Sequence, residues 1–284
     1  MVFMELNKLF FKTMSKVVLI TGATRGIGRA IALRFASEGA DIAFTYRSQH
    51  EAAQTLTAEL EALGVKAKAY SSDAASFADA HTVVEDVKTV FGRIDILINN
   101  AGTGAVAPAE DITDDQFANE MNIDLFGSFK MAREVAKQAM IPAKYGRIIN
   151  IASVAAYQPI PYIDVYGASK AFVLSYSRAM NRELKAKGIR VMAMNPGWVK
   201  TEFFNHALLT NGNEVQYYNY LWEAKDVVAT GLKDLYKTKK DYSVHGLPIR
   251  NQVRLVKLVP HSIVMNIWLN QQKKAKNNKG LTTK

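Results

Sequence analysis

Cysteine is absent from this chain of 284 residues. Disulfides and thiolate metal sites are therefore excluded, and a reducing compartment, the cytoplasm, is the expectation. Histidine is scarce. His50, His81, His206, His245 and His261 are the only five and none falls in a metal-binding spacing, so no catalytic metal is expected. Nor is there an uncharged apolar run of the ~18 residues that a membrane-spanning helix needs. The apolar start (Val2, Phe3, Met4, Leu6, Leu9, Phe10, Phe11) is interrupted by Glu5, Lys8 and Lys12 and lacks a small-residue cleavage site, so it reads poorly as a signal peptide. It is either an N-terminal extension or a product of start-site choice, with Met14 just before the first expected strand. Acidic side chains are missing from the C-terminal stretch. From Tyr242 onward there are eight Lys or Arg and no Asp or Glu, whereas the residues before it carry little of the net charge of +10. A basic excess confined to one end is not the footprint of a nucleic-acid-binding face, and no nucleic-acid partner is expected.

What is present is the composition of a folded chain with a large core, 49% hydrophobic against 22% charged. Short apolar runs at 17–21, 41–45, 66–71, 94–99, 146–152 and 189–195 alternate with helical patterns, among them 27–37, 51–63 and 77–91. This βαβ rhythm predicts an α/β fold, one doubly wound parallel sheet with helices on both faces. No linker interrupts it. We place one Rossmann-type domain at 15–245 and a basic, partly amphipathic extension at 246–284.

Three groups of residues carry chemistry. Gly22, Gly26 and Gly28 follow the first strand and open the first helix, so Gly22 permits a tight turn, Gly26 lets backbone approach a pyrophosphate, and Gly28 allows helix and strand to pack. The helix N-terminus beside Thr24, Arg25 and Ile27 would then hold phosphates. Tyr166 and Lys170, four residues apart, share a helix face, where the lysine can stabilise a phenolate at neutral pH. Ser153 ends the run from Arg147 at the C-terminal edge of a strand, where open α/β sheets bind ligands. With Asn99-Asn100-Ala101-Gly102 and Asn195-Pro196-Gly197 in order between and after them, the chain resembles the short-chain dehydrogenase/reductase family from about Lys16 to about Tyr242.

The resemblance implies a seven-stranded sheet in the order 3-2-1-4-5-6-7, a homo-oligomer, and hydride transfer between a nicotinamide dinucleotide and a carbonyl or secondary alcohol. It implies that Tyr166 moves the proton, Ser153 bonds the reacting oxygen, and Lys170 lowers the tyrosine pKa and bonds the nicotinamide ribose. It further implies that Asp73 meets adenine, Asn99, Ala101 and Gly102 line the cofactor channel, and Pro196, Gly197, Val199 and Thr201 border the nicotinamide. NADP(H) is expected over NAD(H). The second strand ends Thr45-Tyr46-Arg47 without the acid that bonds a ribose 2′-hydroxyl, and Arg25 and Arg47 suit a 2′-phosphate. One position departs from the family. Alignment on Gly127 and Phe129 puts Asp124 where an asparagine is usual, and Asn122, two residues and about 200° away, would point elsewhere on a straight helix.

Apolar and aromatic residues crowd the loops expected around the carbonyl: Val154 to Tyr157, Pro159 to Tyr162, Trp198, Phe203, Phe204, Leu208, Leu209, Tyr217 and Tyr218. They suit an apolar substrate, or simply pack on one another. A helix from Ser262, with Ile263, Val264, Ile267 and Trp268 on one side and lysines beyond, is either an interfacial anchor at the membrane periphery or a helix packed on the body. Two other functions stay open: a 3-oxoacyl carrier-protein reductase, and a non-catalytic NADPH-binding regulator, against which the retained Ser153, Tyr166 and Lys170 argue.

Overall fold

Successive residues of a strand point to opposite faces, so each short apolar run serves two cores. In β1 (Val17–Ile20), β2 (Asp41–Tyr46), β4 (Ile96–Asn99), β5 (Gly146–Ile151) and β6 (Ile189–Met194), one set of residues builds the first core: Val18, Ile20, Ile42, Phe44, Ile96, Ile98, Ile149 and Met192. Their neighbours Val17, Leu19, Ala43, Leu97, Ile148 and Val191 build the second. The first face is covered by α1 (Gly26–Ser37), α2 (His50–Ala62) and a later helix at 224–237, the second by α3 (Phe77–Phe91) and by helices at 128–135 and 164–184. Burial on both faces is what makes these strands almost uniformly apolar. The computed structural model describes residues 16–203, 215 and 219–282, with side chains to residue 275. The N-terminal segment and Phe204, His206, Leu208, Leu209, Tyr217 and Tyr218 lie outside them.

With β3 (Ala67–Ser71) the strands form one parallel sheet, its seventh place taken by β9 (Tyr242–Ser243), in the order β3-β2-β1-β4-β5-β6-β9. Two further short strands, β7 (Trp198–Val199) and β8 (Leu221–Trp222), pair with each other instead. The chain turns from β3-β2-β1 to β4-β5-β6 between β1 and β4, which opens a crevice at their C-terminal ends.

The segment after β4 is less regular than its periodicity suggests. A capping box between Thr113 and Gln116 starts α4 (Asp114–Glu120), which runs into a π-helical stretch, Met121–Gly127, before α5 (Ser128–Val135), a second π stretch, Ala136–Met140, and α6 (Ile141–Ala143). Beyond β5 come α7 (Asp164–Leu184), α8 (Ala224–Lys237), α9 (Leu247–Leu255) and α10 (His261–Thr282).

The packing of α1 onto the sheet leaves no room at its third residue. A Cβ on Gly28 would lie 2.5 Å from Asn100 Nδ2 and 2.6 Å from the Gly22 carbonyl oxygen. We therefore expect Gly28→Ala to lower stability by about 1–3 kcal/mol through overpacking. Urea denaturation checks this: the midpoint falls at unchanged m-value, and an unchanged midpoint would refute the packing argument.

Candidate active site

The glycine turn is shaped by backbone conformation and clamped by asparagine. Gly22 and Gly26 sit at φ of 65° and 56°, the left-handed region that side-chain-bearing residues avoid. Asn100 Nδ2 donates to the carbonyls of Thr21 and Gly22, while Thr21 Oγ1 accepts from the N–H groups of Asn100 and Ala101. Thr24 Oγ1 donates to Gln49 at 2.8 Å and ties the turn to the start of α2. Gly22, Thr24, Arg25, Gly26, Ile27, Arg47 and Asp73 are among the residues that line a cleft of about 990 Å³. Arg25 is the N-cap of α1 and makes no side-chain bond to the first turn, which leaves that end of the helix to other acceptors. Gly28 stands behind the turn, as its packing role requires.

Asn99 corrects an expectation. Its side chain is buried and donates to Asn150 Oδ1 and to the Ser128 carbonyl, inside the sheet rather than along the cleft. Strand alternation turns Asn100 to the cleft instead.

Ser153, Tyr166 and Lys170 come together in the lining of the cleft, which they share with Ala101, Gly102, Pro196, Gly197, Val199 and Thr201. Ser153 Oγ accepts from the Ala155 N–H and hydrogen-bonds the Tyr166 phenol. Lys170 Nζ lies 3.1 Å from Asp124 Oδ2 and donates to the Ile151 carbonyl at 3.4 Å. Asp124, not Asn122, thus reaches the lysine. It is fully buried behind Lys170 and also accepts from the Thr103 N–H at 2.8 Å and the Ser169 hydroxyl at 3.2 Å. Burial works against the Lys170 ammonium, yet the Asp124 carboxylate and Tyr166 outweigh it and hold the lysine pKa above its ordinary range.

The same carboxylate changes the expectation for Tyr166. Burial pushes the phenol up, Lys170 pulls it down, Asp124 pushes it up again, and the net direction is upward. Lys170 has the expected sign of effect, but Asp124 cancels part of its field and the desolvated phenol is not made acidic.

Glu120 is a site residue that sequence reasoning missed. It is 2% exposed, accepts from the Ala105 N–H at 3.0 Å through Oε2, and has no hydrogen-bond partner at Oε1. Burial and the charge of Asp124 push its carboxyl up to about 8. Nothing in the local pattern marks it, because an acid in a polar helix reads as a solvated face.

The cleft also has an apolar part. Val154, Ile160, Trp198 and Phe203 line it as expected, joined by Ile163, but Tyr157 packs against Tyr242 in a separate cluster and Tyr162 is half exposed. The wall that was not foreseen is C-terminal: Ile249 of α9, Val256, and Val264 and Trp268 of α10. Trp268 stacks on Trp198 at 6.2 Å and donates to the Pro161 carbonyl at 3.2 Å. This face of α10 therefore packs on the body, whereas Ile263 and Ile267 remain about half exposed. Among the described residues no helix is long and apolar enough to cross a membrane, and no cluster of His, Asp or Glu could hold a metal.

Residues 16–211 match the family described as short chain dehydrogenase. The chain belongs to the short-chain dehydrogenase family. It is thus an oxidoreductase of the short-chain dehydrogenase type, acting between alcohol and carbonyl groups. It is similar to an (S)-acetoin-forming diacetyl reductase of Staphylococcus epidermidis, 34% identical over 192 residues that cover 68% of this chain and 74% of the relative. A short-chain dehydrogenase from Sphingobium yanoikuyae in complex with NADPH superposes with a TM-score of 0.76 at 30% identity, over 85% of this chain and 92% of that one. Another from Mycobacterium paratuberculosis, bound to NAD, superposes at 0.69 and 30% identity over 78% and 90%. The family match ends before α9 and α10, so the C-terminal wall of the cleft lies beyond it.

Glu120 gives the site a dependence on pH that stability can report. Its folded pKa of about 8 lies above the ordinary 4.5, so the stability it contributes is present below about 4.5 and is lost as pH rises through 8. Glu120→Gln keeps the acceptor for Ala105 without the charge. Relative to wild type, the variant should gain on the order of 3 kcal/mol in stability between pH 5 and pH 8 by denaturant titration. A difference that does not change with pH would show that Glu120 ionises freely.

Proposed function

We propose that this protein is an NADP(H)-dependent short-chain dehydrogenase acting on an apolar ketone or secondary alcohol. The observation that carries the reading is the convergence of Ser153, Tyr166 and Lys170 in a cleft that the glycine turn and apolar side chains line together. The residues present fit a dinucleotide. Gly22 and Gly26 offer a cradle without side chains, a Cβ on Gly26 would come 3.1 Å from Thr201 Cγ2, and the N-terminus of α1 has no side-chain cap. Bound there, the nicotinamide supplies or accepts the hydride. Tyr166 gives its proton to the carbonyl oxygen in reduction and takes it back in oxidation, and Ser153 bonds and orients that oxygen. Lys170, held charged by Asp124, faces the phenol across 5.3 Å to the ring centre. A cytoplasmic place at the membrane periphery and a homo-oligomeric assembly belong to the same reading. A second reading, reduction of 3-oxoacyl groups on an acidic carrier protein, is favoured by the basic residues Arg254 and Lys257 of the C-terminal segment that walls the cleft. A panel of ketones, steroids, sugars and 3-oxoacyl thioesters, followed by NADPH absorbance, separates the two.

Cofactor choice rests on Arg25, in the glycine turn, and Arg47, directly after β2, both of which line the cleft, and on the end of β2, which carries no acidic residue. Charge-assisted bonds to a 2′-phosphate contribute about 1.5–3 kcal/mol each, so NADPH should bind more than tenfold tighter than NADH, with most of that margin lost in Arg47→Ala. Equal dissociation constants by calorimetry would overturn the assignment.

The roles of Tyr166 and Asp124 are tested together. Tyr166→Phe should abolish turnover while leaving cofactor binding intact. Asp124→Asn removes a negative charge that raises the phenol, so in alcohol oxidation, which needs the phenolate, the rising limb of the rate should move to lower pH by on the order of one unit. A profile that does not move, or a Tyr166→Phe variant with near-normal turnover, contradicts these roles.

A further inference from the structure

The corner formed by α9, the turn at 256–260 and α10 joins two properties that a solvent-facing surface of a chain with a nearly neutral body has no reason to combine. Its apolar side chains are uncovered: Leu255 is 59% exposed, Leu258 82%, Ile263 49% and Ile267 53%. On α10, Ile263, Ile267 and Lys274 follow one another at intervals of four and seven residues and therefore share a stripe, while Val264 and Trp268 face the cleft. The same segments carry Arg250, Arg254, Lys257, Lys273 and Lys274, all exposed and none in an ion pair among the described residues, with Lys257 also lying over the rings of Tyr157 and Tyr242. No acidic residue follows Asp241 in the sequence to compete for them. Basic side chains interspersed with exposed leucine and isoleucine match the chemistry of a membrane surface, anionic headgroups outside and acyl chains within. An acidic protein partner would account for the charge but not for the uncovered apolar residues.

The corner is also the rim of the apolar part of the cleft. Leu255 and Ile267 line the cleft and are exposed at the same time, so apolar lining reaches the surface there, beside the polar Asn251, Gln252 and Gln271. We propose that this corner seats on an anionic lipid surface and sets the mouth of the cleft against the acyl layer, so that apolar substrate enters from the lipid rather than from water. The proposal rests on the peripheral location and apolar substrate included in the reading above.

Co-sedimentation of the full chain with phosphatidylcholine vesicles, with and without phosphatidylglycerol, tests it in the absence of substrate. Binding is expected only with phosphatidylglycerol present and should weaken as salt is raised. Leu258→Asp with Ile263→Asp, and separately Lys273→Glu with Lys274→Glu, should each lower vesicle affinity at least tenfold, while the circular dichroism spectrum and turnover of a water-soluble ketone stay at wild-type values. Equal binding to both vesicle types, no binding to either, or variants that bind like wild type would overturn it. So would an apolar double variant that converts an oligomer to a monomer without touching vesicle binding, which would make the corner a contact between copies. Wild-type vesicle binding without ketone turnover would instead sink the enzymatic reading alone.

Discussion

A lysine ammonium and an aspartate carboxylate, both withdrawn from water, have to be satisfied by each other, and that requirement organises the centre of this molecule. Asp124 holds Lys170 at 3.1 Å and spends its remaining acceptor capacity on the Thr103 N–H and the Ser169 hydroxyl. Through these bonds the helical segment after β4, the loop that precedes it and α7 are fixed relative to one another, and the lysine's bond to the Ile151 carbonyl adds the end of β5. Removing one partner of such a pair costs about 3–5 kcal/mol because the other charge is left stranded. Order in the active centre and stability of the fold are therefore carried by the same groups.

The backbone bends to make that meeting possible. Met121–Gly127 leaves the α-helical register, and a π turn accommodates one more residue than an α turn, changing which side chains face α7. Gly127 lets the distorted stretch press against the 73–76 loop, where a Cβ would come 2.7 Å from the Ala74 carbonyl oxygen. Gly102 does the same on the other side, with Asp124 and Lys170 only 3.2 and 3.3 Å from where its Cβ would be. A further carboxyl, Glu120, is then trapped near the first, and the Tyr166 phenol feels both.

Much of this arrangement was legible in the order of residues. Strand alternation and the glycine turn announced a doubly wound sheet, and the spacing of Tyr166 and Lys170 put both on one face of α7, because these features depend on local backbone geometry that short stretches encode. The sheet order followed from the resemblance, and so did the position at which Asp124 stands where an asparagine is usual. What could not be read depended on contacts between distant segments. Asn99 and Asn100 are chemically identical, and only the pleat of β4 decides which one meets the cleft. Glu120 becomes unusual only through burial by other elements. The apolar stripe of α10 was visible, but its division between an inward edge at Val264 and Trp268 and an outward one at Ile263 and Ile267 is set by the position of Trp198 on the body.

That position has a spectroscopic consequence. The chain has three tryptophans, and two of them, Trp198 and Trp268, lie nearly parallel at 6.2 Å against the same cleft. Two indoles in such proximity couple their transitions, so the wall that α10 builds contributes its own signal to the near-ultraviolet circular dichroism of this protein. An optical signal usually read as a measure of global folding here also carries information on whether one helix is seated, and it does so without any label.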